Sequence, residues 1–213
     1  MFEEQRRRLV EKLIEEGYIR RPEVAEAMLK VPREEFVPEE YKDLAYIDRP
    51  LPIGMGQTIS APHMVAYMIE AAELKRGDKV LEVGTGSGYH AAVMAEIVGP
   101  EGHVYTIERI PQLAEKAKER LERLGYGDRV TVLVGDGSKG YPPAAPYDKI
   151  IVTAAAKRIP EELVKQLKVG GIMVIPVEEE QGYQVLYRIE KRPEGLRVQR
   201  LLPVAFVPLV EEG

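Results

Sequence analysis

Residues 80–89 read Val-Leu-Glu-Val-Gly-Thr-Gly-Ser-Gly-Tyr, and this segment decides the predicted fold. A short apolar strand is followed by glycines at alternate positions, and a helical pattern begins near His90. Glycine lets the backbone turn sharply and lets a ligand approach without a Cβ in the way. The segment predicts a strand-to-helix turn of an α/β fold. The glycines alone agree equally with a ligand site and with a plain tight turn.

The spacing of these glycines separates two classes of cofactor. A nicotinamide-binding turn has the pattern G-x-G-x-x-G, which would put its third glycine at position 89. That residue is Tyr89, and the glycines are Gly84, Gly86 and Gly88. The G-x-G-x-G pattern, with Glu82 in the preceding strand, resembles motif I of the S-adenosylmethionine-dependent methyltransferases. Glu82 is a candidate to attract the sulfonium and ammonium groups of that cofactor, directly or through water.

Short apolar runs alternate with helical periodicity on both sides of this segment. The runs are rich in β-branched residues, as in a parallel sheet buried on both faces, and they cover residues 79–83, 104–108, 130–134, 149–153 and 172–177. The clearest helix is predicted over residues 111–124, where leucine and alanine form one stripe. Alternating units of this kind imply right-handed crossovers and a doubly wound, mostly parallel sheet. Residues 183–191 and 196–209 alternate around a turn at 192–195, which predicts a C-terminal antiparallel hairpin.

The N-terminal third of the chain is predicted to be helical. A first helix with Leu9, Leu13 and Ile14 on one face stops at Gly17, a second runs from Pro22 to about residue 32, and a third follows Ser60 to about residue 74. Residues 36–55 contain several prolines and are predicted to be irregular. We therefore expect one domain over residues 1–213, in which residues 1–75 form a helical cover and residues 76–213 form the core.

Composition narrows the classes of function. The chain has no cysteine, and its three histidines lack zinc-ligand spacing, so neither disulfides nor a metal site is expected. The net charge of −5 without a long basic stretch argues against nucleic acid as a partner. No apolar run approaches the roughly 18 residues of a membrane helix, and the charged start does not resemble a signal peptide. We expect a cytoplasmic protein with no membrane partner, and a monomer by default.

Polar residues follow two of the predicted strands. Glu108 and Arg109 end the second strand, where a carboxylate can accept hydrogen bonds from both ribose hydroxyls. Asp136 and Gly137 follow the third strand. By resemblance to the methyltransferase superfamily, Asp136 would receive the adenine amino group and Gly137 would allow close approach. A solvent-facing strand end at Glu108 and a plain Asp-Gly turn at Asp136 remain the alternatives.

Residues 56–64 read Gly-Gln-Thr-Ile-Ser-Ala-Pro-His-Met. Here the chain resembles the protein-L-isoaspartate (D-aspartate) O-methyltransferases. Further matches extend the resemblance over about residues 5–210, and they are Arg33–Pro38, Pro146–Asp148, Thr153–Ala156, Leu167–Gly171 and Val204–Leu209. The resemblance implies a Rossmann-like class I methyltransferase fold that binds S-adenosylmethionine and releases S-adenosylhomocysteine.

The resemblance also implies a substrate and a set of roles. The family methylates the free α-carboxylate of L-isoaspartyl residues in damaged proteins and peptides, and the ester then collapses to a succinimide that reopens partly to normal aspartate. Ser60 would contact the accepting carboxylate. Gln57, Thr58 and His63 would shape the floor between cofactor and substrate, and the backbone near Val207 would pair with the substrate peptide.

The chemistry of carboxyl methylation agrees with this composition. A carboxylate is ionised at neutral pH, so its methylation needs no strong general base. Ser60 has a rival interpretation as the N-cap of the third helix. The other functions left open are methylation of a different substrate class, cofactor binding without catalysis and, less in keeping with Tyr89, nicotinamide-dependent oxidoreduction.

Overall fold

A computed structural model describes residues 1–211. Its central sheet has seven strands in the order β5-β4-β3-β6-β7-β8-β9. Pairing is parallel from β5 to β7 and antiparallel for the last two strands. The strands of the sheet are β3 (Lys79–Val83), β4 (His103–Glu108), β5 (Val130–Val134), β6 (Tyr147–Val152), β7 (Leu167–Glu178), β8 (Gln184–Arg192) and β9 (Gly195–Val204). The predicted fold class is confirmed.

The helices are α1 (Phe2–Glu15), α2 (Pro22–Lys30), α3 (Pro62–Ala72), α4 (Tyr89–Val98), α5 (Pro111–Arg123) and α6 (Glu161–Gln166). Four helices pack on the sheet (α3 to α6), while α1 packs on α2 and α2 packs on α3 and α4. The apolar stripe of α5 is buried through Leu113, Ala117 and Leu121. Gly125 follows the helix with a φ of +90°, the conformation expected of a glycine that ends a helix. None of the helices in the described part of the chain is long and apolar enough to cross a membrane.

Three expectations for the local structure are corrected. Ile14 does not share the buried face of α1, because its side chain is 48% exposed while Leu9 and Leu13 are buried. The segment 36–55, predicted to be irregular, follows one 3₁₀ turn (Arg33–Phe36), contains a second (Glu39–Leu44) and carries β1 (Leu51–Gly54), which pairs with β2 (Gln57–Ile59) in a small hairpin.

The third correction concerns the last strand, which ends at Val204 rather than Leu209. Beyond Val204 the chain no longer pairs with the backbone of β8. It is held instead by hydrogen bonds with the side chain of Gln184. Its amide accepts the Phe206 N–H at 2.7 Å and donates to the Phe206 carbonyl at 3.0 Å. The segment then crosses to the carboxyl end of β6, where Pro208 forms a parallel bridge with Ala155.

Candidate active site

A cavity of about 270 Å³ lies at the carboxyl ends of β3, β4 and β6. The order of strands reverses between β3 and β6, and open α/β sheets bind ligands at such a point. The lining combines the glycine turn, the start of α3 and residues 205–210. It includes most of the predicted site residues, namely Gln57, Thr58, Ser60, His63, Glu82, Gly84, Gly86, Glu108, Arg109, Gly137 and Val207. Gly88 and Asp136 lie outside it.

The turn after β3 needs glycine for two different reasons. Gly84 has a φ of +103°, and a Cβ on it would lie 2.5 Å from the Thr153 hydroxyl, which itself donates to the Gly84 carbonyl at 2.9 Å. Gly86 has a φ of +55° and faces the cavity. Gly88 instead begins α4 with a φ of +93°, packed against Leu121 of α5. The glycine at position 88 thus serves helix packing, and its contact with a cofactor remains a prediction.

Glu82 is fully buried at the base of the cavity. Its Oε1 atom accepts a hydrogen bond from the Thr106 hydroxyl at 2.7 Å, and the Thr85 hydroxyl lies 2.6 Å from Thr106. Its Oε2 atom has no hydrogen-bond partner among the described residues. Burial, with a smaller contribution from the charge of Glu108, raises the pKa of Glu82 from 4.5 to about 8. A buried carboxyl of this kind favours a ligand that brings a positive charge.

Glu108 ends β4 with its carboxylate at the cavity wall. One oxygen accepts the Gly86 N–H at 2.9 Å, and the other accepts the Ile110 N–H at 3.0 Å. These bonds fix the carboxylate plane against the glycine turn. Each carboxylate oxygen can accept a second hydrogen bond, so two ligand hydroxyls can still be received. Arg109 lines the cavity mouth and is exposed.

Asp136 caps the 3₁₀ turn Gly137–Lys139 with its own side chain. One carboxylate oxygen accepts both the backbone N–H and the hydroxyl of Ser138, at 3.0 and 2.6 Å. This is the turn role that the sequence left open for Asp136. Gly137 lines the cavity, and a Cβ on it would lie 2.3 Å from a methyl of Val83. Close packing on β3 therefore requires the glycine.

Ser60 does not cap α3. The N-cap position belongs to Ala61, and the Ser60 hydroxyl makes no hydrogen bond to any described residue. The backbone of Ser60 is nevertheless fixed, because its carbonyl accepts a hydrogen bond at 3.1 Å from the buried guanidinium of Arg33. The rival interpretation of Ser60 as a helix cap is wrong. Its hydroxyl lines the cavity with donor and acceptor capacity to offer a ligand.

The chain from Ala205 to Val210 forms part of the cavity wall. The Val207 carbonyl accepts the Ala155 N–H at 2.7 Å, and the Leu209 N–H donates to the Ala155 carbonyl at 2.8 Å. The segment is thus bound to the chain just after β6, and it lines the same cavity as Ser60.

Comparison with known proteins agrees with this geometry. Residues 4–213 match the family described as protein-L-isoaspartate (D-aspartate) O-methyltransferase. The chain belongs to that family. A protein-L-isoaspartate O-methyltransferase of Ignicoccus hospitalis is 80% identical over 99% of this chain and all of its own length. One of Hyperthermus butylicus is 63% identical over 99% of this chain and 90% of its own length.

Solved structures support the same protein-L-isoaspartate O-methyltransferase assignment. A Plasmodium falciparum structure, described as a protein of this family in complex with S-adenosyl-L-homocysteine, has 32% identity and a TM-score of 0.87. The match covers 97% of this chain and 99% of the other. A second structure of a protein-L-isoaspartate O-methyltransferase has 34% identity and a TM-score of 0.89, over 95% of this chain and 65% of the other.

The residues of this methyltransferase fit S-adenosylmethionine. The unpartnered Oε2 atom of Glu82 suits a cationic amino acid group, and the Glu108 oxygens suit a ribose. Gly84 and Gly86 leave the turn without Cβ atoms between these two carboxylates.

Several residues that shape this family site were not predicted from the sequence. Asp48 lies within hydrogen-bond distance of His63, Thr106 donates to Glu82, and Thr153 holds the glycine turn. Arg33 fixes Ser60, and His90 lies beside Glu82. For the two threonines a signal was available, since Thr106 lies in β4 two residues before Glu108 and Thr153 directly follows β6. The contacts of Asp48 and Arg33 join distant loops, which no local pattern reports.

Proposed function

We propose that this protein transfers the methyl group of S-adenosylmethionine to the free α-carboxylate of L-isoaspartyl residues in damaged proteins and peptides. The observation that carries the proposal is that Ser60, of the family's acceptor motif, lines the same cavity as the glycine turn. The methyl ester then closes to a succinimide, which reopens partly to normal aspartate. The repair needs no further group from the protein.

In the cofactor half of the cavity, different residues hold different parts of the cofactor. Bound S-adenosylmethionine supplies an activated methyl group on a sulfonium. Glu82 receives the cationic amino acid end, and Glu108 receives the ribose hydroxyls, with Arg109 beside it at the mouth. Gly84, Gly86 and Gly88 shape the turn, while Asp136 and Gly137 border the adenine. Gln57, Thr58 and His63 form the floor that separates this half from the acceptor half.

The acceptor half works by positioning. The α-carboxylate is already an anion at neutral pH, so the chain has to hold it in line with the methyl group and exclude water. Positioning of this kind can contribute about 7–11 kcal/mol. The Ser60 hydroxyl donates to the carboxylate as a neutral group and orients it without a tight ion pair. The fixed Ser60 backbone supports this role, because Arg33 holds its carbonyl.

The substrate peptide lies beside the segment around Val207. An extended chain can add to exposed backbone by main-chain hydrogen bonds, which recognise a peptide without reading its side chains. That mode suits a repair enzyme, since isoaspartate arises in many sequence contexts. The extended course of residues 205–210 at the cavity rim supports it.

We also propose that residues 1–213 act as one domain, with residues 1–75 covering the core at residues 76–213, and that the protein works as a cytoplasmic monomer. The net charge of −5 supports proteins rather than nucleic acid or anionic membranes as its partners. Equilibrium sedimentation with and without S-adenosylhomocysteine tests whether the protein is monomeric.

A paired peptide assay tests the function. Radiolabelled S-adenosylmethionine is offered with a peptide that contains one isoaspartyl residue and with its normal aspartyl twin. The expected result is a base-labile label in the isoaspartyl peptide alone. Equal labelling of both peptides would assign the enzyme to another substrate class. Tight binding of S-adenosylhomocysteine without any transfer would instead make the protein a non-catalytic cofactor binder.

A further inference from the structure

His90 is a buried histidine beside the cofactor half of the cavity. It is the second residue of α4, its side chain is 8% exposed, and it contributes to the cavity lining. Neither ring nitrogen has a hydrogen-bond partner among the described residues. A buried imidazole with two unused nitrogens is an unfavourable arrangement unless a neighbour or a ligand uses them.

The nearest neighbour of this imidazole is Glu82. The Nδ1 atom of His90 lies 3.7 Å from the Oε2 atom of Glu82, and that oxygen is the one without a partner. The other oxygen of Glu82 is occupied by Thr106. Two unpartnered polar atoms therefore face each other at the base of the cavity, separated by slightly more than a hydrogen bond.

We propose that His90 is a positioning residue that holds the Glu82 carboxyl in both of its protonation states. In the ligand-free protein, Nδ1 faces the protonated acid as an acceptor at 3.7 Å, and the ring proton resides on Nε2. When the cationic group of the cofactor reaches Glu82, the acid proton passes to Nδ1, which then donates to the carboxylate. The Nε2 proton leaves through the cavity that His90 lines, so the imidazole stays neutral and one proton is released. This inference rests on the proposed function, because it assumes that a cationic cofactor group meets Glu82.

The surrounding charges agree with a neutral imidazole. Burial lowers the pKa of His90 from 6.5 to about 4, whereas that of Glu82 is raised to about 8. Among the described residues, the charge of Glu108 on β4 contributes to the raised pKa of Glu82, and Ile151, paired with Glu82 on β6, carries no charge.

The elements around α4 carry cations that are engaged elsewhere. Arg33 lies over the Tyr89 ring at 4.9 Å, and both Lys30 of α2 and Arg129, just before β5, pair with Glu96. These cations are therefore not partners of the Glu82 carboxyl. His90 is the polar side chain placed to meet its second oxygen.

The test uses the whole protein. It follows proton release and the tautomer of His90 during binding of S-adenosylhomocysteine. Calorimetry at neutral pH in phosphate and in Tris, whose ionisation enthalpies differ, gives the number of protons released. We expect close to one for the wild type and none for Glu82→Gln. Nitrogen-15 NMR of labelled histidine should show that Nδ1 of His90 changes from acceptor to donor when the ligand binds.

Two substitutions separate this role from simple packing. His90→Phe keeps an aromatic ring and removes both nitrogens, so the carboxylate loses its donor. We expect affinity for S-adenosylhomocysteine to fall by about tenfold or more. Because binding releases a proton, affinity rises with pH, and in this variant the rise should occur at higher pH. His90→Asn places an amide nitrogen where Nδ1 was, and it should recover most of the affinity and the wild-type pH profile.

The failures are distinguishable. If the wild type does not bind S-adenosylhomocysteine, the proposed function is wrong. If it binds without releasing a proton, or with the same His90 tautomer in both states, the inference about His90 is overturned and the proposed function stands. The wild-type measurements decide the matter even if His90→Phe fails to fold.

Discussion

The carboxylate of Asp48 lies 2.9 Å from both the backbone nitrogen and the Nδ1 atom of His63. Asp48 thus supplies from a neighbouring loop the cap that the first turn of α3 lacks locally, since the N-cap residue Ala61 has no side chain able to provide it. The same contact orients the His63 ring in the cavity floor. One carboxylate therefore stabilises the helix and sets the position of a residue of the proposed site.

Replacement of Asp48 by alanine should have two effects. Loss of the cap should lower the free energy of unfolding by about 1 kcal/mol, measured by urea denaturation. Release of the His63 ring should also weaken S-adenosylhomocysteine binding. Asp43→Ala is the matched control, because Asp43 is exposed and forms no ion pair or hydrogen bond with a described residue. Equal behaviour of the two variants would contradict the role of Asp48.

Ser60→Ala should separate catalysis from stability. Because the hydroxyl does not cap α3, we expect an unchanged urea midpoint and unchanged binding of S-adenosylhomocysteine. Turnover on an isoaspartyl peptide should fall about tenfold or more, as for loss of a hydrogen bond to a charged group. Ser60→Thr retains a hydroxyl and should keep much more of the activity. Full activity in the alanine variant would remove Ser60 from the proposed mechanism.

Two glycines separate the cost of a close contact to an added Cβ from the cost of a positive φ. Gly84→Ala brings a methyl within 2.5 Å of the Thr153 hydroxyl, whereas Gly125, also at positive φ, has nothing within 4 Å of an added Cβ. Gly125→Ala should lose about 1–2 kcal/mol from backbone strain alone. Gly84→Ala should lose more, and it should also weaken cofactor binding, because the Thr153 hydroxyl must leave the Gly84 carbonyl. Denaturation and calorimetry measure both effects, and identical losses would refute the distinction.

The buried pair of Glu82 and His90 makes stability depend on pH in a defined window. The pKa of Glu82 is raised from 4.5 to about 8, so the folded state keeps a proton that the unfolded state has lost, and stability falls as pH rises through this range. The pKa of His90 is lowered from 6.5 to about 4, so below pH 6.5 its contribution has the opposite sign and offsets that of Glu82. Between pH 6.5 and about 8 the Glu82 contribution remains alone.

Glu82→Gln should therefore flatten the pH profile in that window. The wild type should lose up to about 1.4 kcal/mol per pH unit relative to the variant between pH 6.5 and 8. Urea denaturation of both proteins in a buffer series measures the difference. Parallel profiles would mean that Glu82 is ionised in the ligand-free protein.

Local sequence patterns predicted the elements that carry their own periodicity or turn chemistry. The strand Lys79–Val83 and the stripe of α5 are of this kind, and the spacing in the glycine turn indicated the cofactor class. Prediction failed where a distant contact decides the outcome. The chain beyond Val204 alternates like a strand, but Gln184 bonds it through a side chain, so β9 stops early.

The candidate site shows the same limit. The family motif correctly predicted that Ser60 belongs to the cavity. The N-cap pattern around Ser60 was misleading, because the first turn of α3 is capped by Asp48 from a distant loop. Nothing near His90 in the sequence indicates that its ring faces Glu82, since seven residues that include the glycine turn separate them. Which polar groups meet at the base of the cavity is set by packing of α4 on the sheet.

The most direct test of the central claim is a crystal structure with S-adenosylhomocysteine and an isoaspartyl peptide bound together. We predict the sulfur at the tips of β3 and β4, with a carboxylate oxygen of the peptide facing it across the width of a methyl group. The other oxygen should lie within hydrogen-bond distance of the Ser60 hydroxyl, and the peptide backbone should run beside Val207. A sulfur remote from Ser60, with no space for a peptide between Ser60 and residues 205–210, would contradict the account.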